Sequence, residues 1–269
     1  MRLSRFVLLA GVCALVACAS EPEKPLEEPV ETLYNRASHA LDDKNYVEAT
    51  KYFEEVERQH PYSQWATQAQ LMAAFASYEG QRYDEAVMGL DRFIELHPGH
   101  KDVDYAYYLK ALCYYEQISD VQRDQEMTQK AVEALDTLVK RFPESKYTRD
   151  ATLKRDLTLD HLAGKEMEIG RYYLNRNEIN AAINRFRVVI QKYQTTSHTA
   201  EALHRLVESY LTLGLTEEAT KVAAVLGYNY PGSKWYKRSF ELLDPKARQK
   251  ILEERGVVDR TVDALFKPN

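Results

Sequence analysis

Residues 170–186 read GRYYLNRNEINAAINRF, and their spacing describes two helices packed against each other. Gly170 and Tyr173 stand one helical turn apart, as do Ala182 and Phe186, and twelve residues separate the two small ones. A small residue on each helix lets two antiparallel rods approach closely, and the large residue one turn on fills the space beside the contact.

The pattern recurs along the chain. Alanines at 49, 86, 131, 182 and 219 each precede by twelve residues a helix-ending hinge at Pro61, Pro98, Pro143, Gln194 and Pro231. Four residues after the alanines come Phe53, Leu90, Leu135, Phe186 and Ala223, and seven after come Val56, Phe93, Leu138, Val189 and Leu226, which is one apolar stripe written five times. The preceding helix has Ala37, Ala74, Gly170 and Val207 twelve residues upstream of four of the alanines, followed by Ala40, Ser77, Tyr173 and Tyr210. G-x-x-Y, then A-x-x-x-F, then P is the tetratricopeptide signature. In the third copy the match, Ala111 with Tyr114, lies twenty residues before Ala131, so eight extra residues loop out. They fall in the polar QISDVQRDQEM (residues 117–127), expected to protrude as a surface loop.

The hinges HPYSQW, FPESKY and YPGSKW share Pro, Ser two residues later and an aromatic. Proline ends one helix, and the serine is expected to N-cap the next. The lead-in to the fourth copy, residues 147–167, is expected to lengthen its first helix. The expected fold is all-α: a right-handed superhelical solenoid of five tetratricopeptide-like pairs over residues 30–240, with a C-terminal capping helix and tail in 241–269. KWYKRSFELL (234–243) reads as a closing helix, and Asp244–Pro245 as the cap and first position of another ending at Gly256. The final VVDRTVDALFKPN is a short amphipathic run suited equally to packing on the cap or to binding a partner.

At the other end, Arg2 and Arg5 precede an apolar run from Phe6 to Val16, too short to span a membrane comfortably. Residues 1–17 read as a secretion signal. Leu15, Val16 and Ala17 before Cys18 resemble a lipobox, which implies a triacylated Cys18 as the new N-terminus; the alternative is ordinary cleavage near Ala19. Stable anchoring needs two acyl chains or more, and Ala19 instead of Asp favours the outer membrane. Residues 18–29 are a lipidated, acidic, Pro-rich tether. With Cys13 removed and Cys18 lipidated, Cys113 is the one free thiol of the three cysteines and is expected in the core.

Composition excludes several functions. A formal charge of −5 over 269 residues, with Lys and Arg interspersed, offers no nucleic-acid surface. No HExxH, GxSxG or phosphate-binding glycine loop is present, so neither catalysis nor a cofactor other than the covalent lipid on Cys18 is expected. His97 and His100 are a close pair, expected to be a solvated hinge and not a metal site.

Binding is the expected role. A solenoid's first helices line a concave groove, and tetratricopeptide phasing assigns to it Leu71, Phe75 and Tyr78 in repeat two, and Tyr105, Tyr108, Leu112 and Tyr115 in repeat three. Repeat four offers Met167, Arg171 and Asn175, and repeat five His204 and Glu208. This groove is aromatic toward the N-terminal end and polar toward the other, suited to an extended peptide with aromatic anchors; the alternative is that these rings pack on the long loop or a neighbouring helix. Tyr114, Tyr173 and Tyr210 are packing residues.

The lipobox, acidic tether, five repeats, third-repeat insertion and P-x-S hinges, in that order, resemble the BamD (ComL) family of lipoproteins of the outer-membrane β-barrel assembly machinery. LDRFIELHPGHKDVDYAYYLKALCYY (90–115) and RFPESKYTRDA (141–151) carry the resemblance, which covers residues 15–240. It implies a lipid-anchored adaptor on the periplasmic face of the outer membrane. Its C-terminal repeats would dock BamA beside other assembly subunits, and its N-terminal repeats would receive the C-terminal signals of unfolded outer-membrane proteins, which typically end in an aromatic residue. A pilus or secretin assembly lipoprotein, or a peptidoglycan-associated scaffold, would share the anchor and solenoid without the insertion or the hinge wording.

Overall fold

The computed structural model describes residues 27–253, and the secondary structure there is entirely helical. Five antiparallel pairs follow one another: α1 (Val30–Asp42) with α2 (Tyr46–Gln59), α3 (Gln64–Glu79) with α4 (Tyr83–Leu96), α5 (Val103–Tyr115) with α6 (Glu126–Arg141), α7 (Thr148–Asn175) with α8 (Ile179–Lys192), and α9 (Thr199–Thr212) with α10 (Thr216–Asn229). Then come α11 (Lys234–Leu242), packed on α9 and α10, and α12 (Pro245–Glu253), packed on α10. From α1 to α11 each helix contacts the next, and α1, α3, α5 and α7 also touch in succession, which is the stacking of a solenoid.

The repeated alanines are the centres of the crossings: Ala49, Ala86, Ala131, Ala182 and Ala219 are fully buried, as are Phe53, Leu90, Leu135 and Phe186 four residues on. Gly170 on α7 lies against the Phe186 ring, where a Cβ would overlap Cε1 and come to 2.9 Å from Cδ1 and Cζ. Burying one such side chain contributes about 1.5–3 kcal/mol, so the apolar stripe accounts for the stacking.

The turns inside the pairs share one geometry. Lys44, Gln81, Asn177 and Gly214 have φ of 59°, 59°, 62° and 74°, and each stands five residues before its repeat's alanine. The amide after each one donates to a carbonyl five residues back: Asn45 to Ala40, Arg82 to Ser77, Glu178 to Tyr173 and Leu215 to Tyr210, at 2.8–2.9 Å. This is a Schellman closure, satisfying the last carbonyls of the first helix and aiming the chain back along it.

Four expectations need correction. The third-repeat insertion does not protrude but lies along α7: Lys165 Nζ donates to the Gln122 carbonyl at 2.9 Å, and Val121 Cγ2 approaches Gly164. Inside it, Gln125 donates to the Asp120 and Arg123 carbonyls and accepts from Thr128. α7, lengthened to 28 residues as expected, provides the surface it rests on. Second, Ser63 and Ser233 do cap their helices, accepting from the Ala66 and Trp235 amides at 3.1 Å, but Ser145 does not N-cap α7. Its hydroxyl donates to Asp104 at 2.6 Å, tying the hinge to α5, and the helix starts three residues later. Third, the tether boundary at 29 is late, because Glu28 already belongs to the first repeat's surface: its amide donates to Gln59, its carbonyl lies 2.7 Å from His60 Nε2, and its carboxylate pairs with Arg36. Last, the pairs end at Asn229, so a border at 240 cuts α11. Asp244 caps α12 as expected, accepting from the Ala247 amide at 2.7 Å. The signal segment, Cys18 and residues 254–269 lie outside the described residues.

Candidate functional site

Fifteen residues before the alanine of each repeat stand Tyr34, Leu71, Met167 and His204, and Tyr108 holds the same place once the eight-residue insertion is discounted. This position faces the start of the next repeat, and in three repeats the hinge aromatic closes over it. Trp65 packs on Tyr34 at 4.8 Å between centroids, Tyr147 stacks on Tyr108 at 4.8 Å and 14°, and Trp235 covers His204 at 5.2 Å. The recurring aromatic of the hinge is therefore a lid on the preceding repeat.

Burial corrects part of the groove assignment. Leu71, Met167 and His204 are 2%, 0% and 3% exposed, so none of them lines an accessible surface. Leu71 is packed in one core cluster with Ala106 and Leu109 of α5, and Met167 in one with Leu203 and Leu206 of α9, because the following first helix covers the position.

The other groove residues are half-buried. Phe75, Tyr78, Tyr105 and Leu112 rest on the core cluster shared by repeats two and three, and Tyr108 and Tyr115 rest on the next one. Tyr147 joins the two sets, lying 5.3 Å from the Tyr105 ring while stacking on Tyr108. The Tyr108 hydroxyl donates to Asp150 Oδ2 at 2.6 Å, the same oxygen accepts from Lys154 at 2.7 Å, and the Lys154 ammonium lies 5.7 Å from the Tyr115 ring centroid. The rings thus do pack on a neighbouring helix, α7 and its lead-in, while each keeps part of its surface in solvent.

Burial pushes the Tyr78 phenol up to about 12. Tyr105 and Tyr108 are raised as well, by burial first and then by neighbouring Tyr147 for the one and the bond to Asp150 for the other. All three remain neutral donors at any physiological pH. Asp150 is held below the usual carboxylate range by its hydrogen bonds to Lys154 and then Tyr108.

Toward the C-terminal end the surface is polar: Arg171 pairs with Glu201 at 3.2 Å, Asn175 is exposed, and Glu208 binds Arg205 at 2.7 Å. His97 and His100 pack on the Phe93 ring, each 5.3 Å away, and His97 Nε2 is bonded to Gln70. Among the described residues no group of three or more His, Cys, Asp or Glu side chains converges to hold a metal ion, and no helix is long and apolar enough to cross a membrane. Tyr147, Asp150 and Lys154 are the site residues that groove phasing missed. Tyr147 was signalled by the hinge motif itself, as the aromatic four residues after Pro143.

Comparison with known proteins is consistent with this architecture. The model of a family described as YfiO, outer membrane lipoprotein, matches residues 26–226. A protein of Caulobacter vibrioides is 52% identical over 251 residues, covering 92% of this chain and 82% of its own. One from Rickettsia prowazekii is 47% identical over 246 residues, covering 90% and 98%. One from Neisseria meningitidis serogroup A is 34% identical over 244 residues, covering 85% and 91%. All three are called outer membrane protein assembly factor BamD.

Proposed function

The chain belongs to the YfiO family of outer membrane lipoproteins that includes the BamD assembly factors, and from that premise we propose that it is an adaptor in outer-membrane protein assembly, holding unfolded substrate segments through the aromatic face of repeats two and three. In this reading Cys18 carries the lipid that fixes the protein to the periplasmic face of the outer membrane. The C-terminal repeats face BamA and other subunits of the assembly complex. The protein binds and positions; it converts nothing.

The observation that carries the reading is the cluster of Tyr105, Tyr108 and Tyr147, held by ring contacts through Tyr147 and by the bond from Tyr108 to Asp150, yet half open to solvent. Pre-stacked rings lose little side-chain freedom when a ligand ring joins them, and neutral phenols donate hydrogen bonds to an extended peptide's carbonyls. The helical frame supplies no exposed sheet edge, so affinity rests on side-chain anchors.

The test is fluorescence anisotropy of a labelled C-terminal peptide from an outer-membrane β-barrel protein, with and without its terminal aromatic. Phe75→Ala and Tyr108→Ala should each weaken binding about tenfold or more, the loss of one anchoring ring being about 1.5–3 kcal/mol. Tyr210→Ala, at a 7% exposed packing position, should lower the melting temperature without changing affinity where it is folded. If Phe75→Ala and Tyr108→Ala both bind like the parent, the groove reading falls. Recovery of a secretin without BamA from solubilised outer membrane would remove the assembly role itself. An unacylated mature N-terminus in mass spectrometry would remove the anchor at Cys18.

A further inference from the structure

α11 lies beyond the segment matched by the family model, and its charge differs from that of the rest of the chain. Lys234, Lys237 and Arg238 are exposed and stand at i, i+3 and i+4, so they share one face. The other side of the helix is fixed to α9, with Ser239 buried and its hydroxyl 2.8 Å from His204 Nδ1. Trp235 lies between, half-buried, its indole 5.2 Å from the His204 ring. Three cations crowd that indole: Lys234 Nζ at 4.9 Å, Arg238 Cζ at 5.2 Å and Arg205 Cζ at 5.7 Å from the ring centroid.

Arg205 is already neutralised by Glu208 and Glu201. Lys234, Lys237 and Arg238 have no ion-pair partner among the described residues, and Glu241, one turn after Lys237, pairs with none of them. A chain with net charge −5 thus gathers unpaired positive charge around an aromatic ring at one end of its solenoid. The cations repel one another, and a bound anion at this face relieves that repulsion.

We propose that the exposed face of α11 docks an acidic segment of a partner protein, with carboxylates on Lys234, Lys237 and Arg238 and an apolar side chain on the Trp235 indole. Charge complementarity selects an acidic ligand. A peptide is favoured over lipid headgroups by position: residues 27–29 lie at repeat one and α11 caps the opposite end, so the anchor proposed above at Cys18 would attach at the other end of the solenoid from this patch. The site is separate from the aromatic groove, and its failure would leave the reading of that groove intact.

The test uses the mature lipoprotein in a neutral detergent and a fluorescein-labelled, glutamate-rich decapeptide, read by anisotropy. The parent should bind, and more weakly as ionic strength rises. Lys234→Glu with Arg238→Glu should weaken binding at least tenfold at an unchanged melting temperature, and Lys237→Glu alone several-fold. Lys51→Glu with Lys140→Glu makes the same change in net charge on repeats one and three and should stay within twofold of the parent. The proposal is overturned if the parent does not bind, if the two charge-matched pairs weaken binding equally, or if monomeric dihexanoyl-phosphatidylglycerol binds at α11 and the peptide does not.

Discussion

Gly170 on α7 faces Phe186 on α8 with no room for a methyl group, since a Cβ there would lie 2.9 Å from ring atoms Cδ1 and Cζ. The ring is fully buried and cannot swing away. Gly170→Ala should therefore cost about 1–3 kcal/mol through overpacking, even though alanine is the better helix former by about 1 kcal/mol. Gly99→Ala, where nothing lies within 4 Å, should leave the melting temperature unchanged. Equal urea midpoints for the two variants would place the repeat contact elsewhere.

The turn geometry predicts opposite signs at equivalent sites. Gly214 (φ 74°) and Gln81 (φ 59°) both close Schellman turns in the left-handed region, which costs an L side chain roughly 1–2 kcal/mol. Gly214→Ala should destabilise by about 1 kcal/mol, while Gln81→Gly should be neutral or raise the melting temperature despite glycine's unfolded-state entropy. Loss of stability in Gln81→Gly comparable to that in Gly214→Ala would contradict the shared turn.

Why these turns escaped the sequence reading is physical. Only one of the four left-handed positions is glycine; Lys44, Gln81 and Asn177 take that conformation because the packed helices on either side dictate it. The repeat itself was legible because burial acts directly on residue type, so Ala182 and Phe186 carry their environment in their names. Of the residues that phasing assigns to a groove, Phe75, Tyr78 and Tyr108 are half-buried and keep part of their surface in solvent. Leu71 and Met167 are buried by the next repeat and His204 by α11, contacts that a single repeat's period does not encode. The insertion's fate likewise depended on the extra length of α7, two features that match only in space.

Cys113 offers a probe of the core. It is fully buried on α5, and burial pushes its thiol up to about 12. At pH 8 the nucleophilic thiolate is absent and the sulfur inaccessible, so native protein should resist a maleimide or disulfide reagent for as long as it stays folded. Labelling should appear with the unfolding transition in urea, coincident with loss of helical circular dichroism. Fast native labelling at this residue would mean that the crossing of repeats two and three opens locally.

Glu208 ties pH to the attachment of the capping helix. Its carboxylate binds Arg205 at 2.7 Å and approaches His204 Nε2 at 3.4 Å, and the other imidazole nitrogen meets the Ser239 hydroxyl of α11 at 2.8 Å. Burial alone would raise the carboxyl, but the hydrogen bonds and charges of His204 and Arg205 outweigh it and take the group from 4.5 down to about 2. A depressed carboxyl adds stability that is complete above 4.5, the unfolded value, and fades as pH falls toward 2, because protonation of the folded state then forfeits the bonds. Glu208→Gln removes this contribution at every pH. The urea midpoint of Glu208→Gln should thus lie furthest below the parent's at pH 6, with the gap closing steadily at pH 4 and pH 3. Arg205 retains Glu201 as a second partner at 3.4 Å, so the variant should stay folded. With Nε2 no longer held by a carboxylate, the imidazole that meets Ser239 loses its anchor on α9, and α11 should detach first, read as a shift in Trp235 emission in a Trp65→Phe background. A gap that stays constant from pH 6 to pH 3 would show that Glu208 contributes through packing and not through its charge.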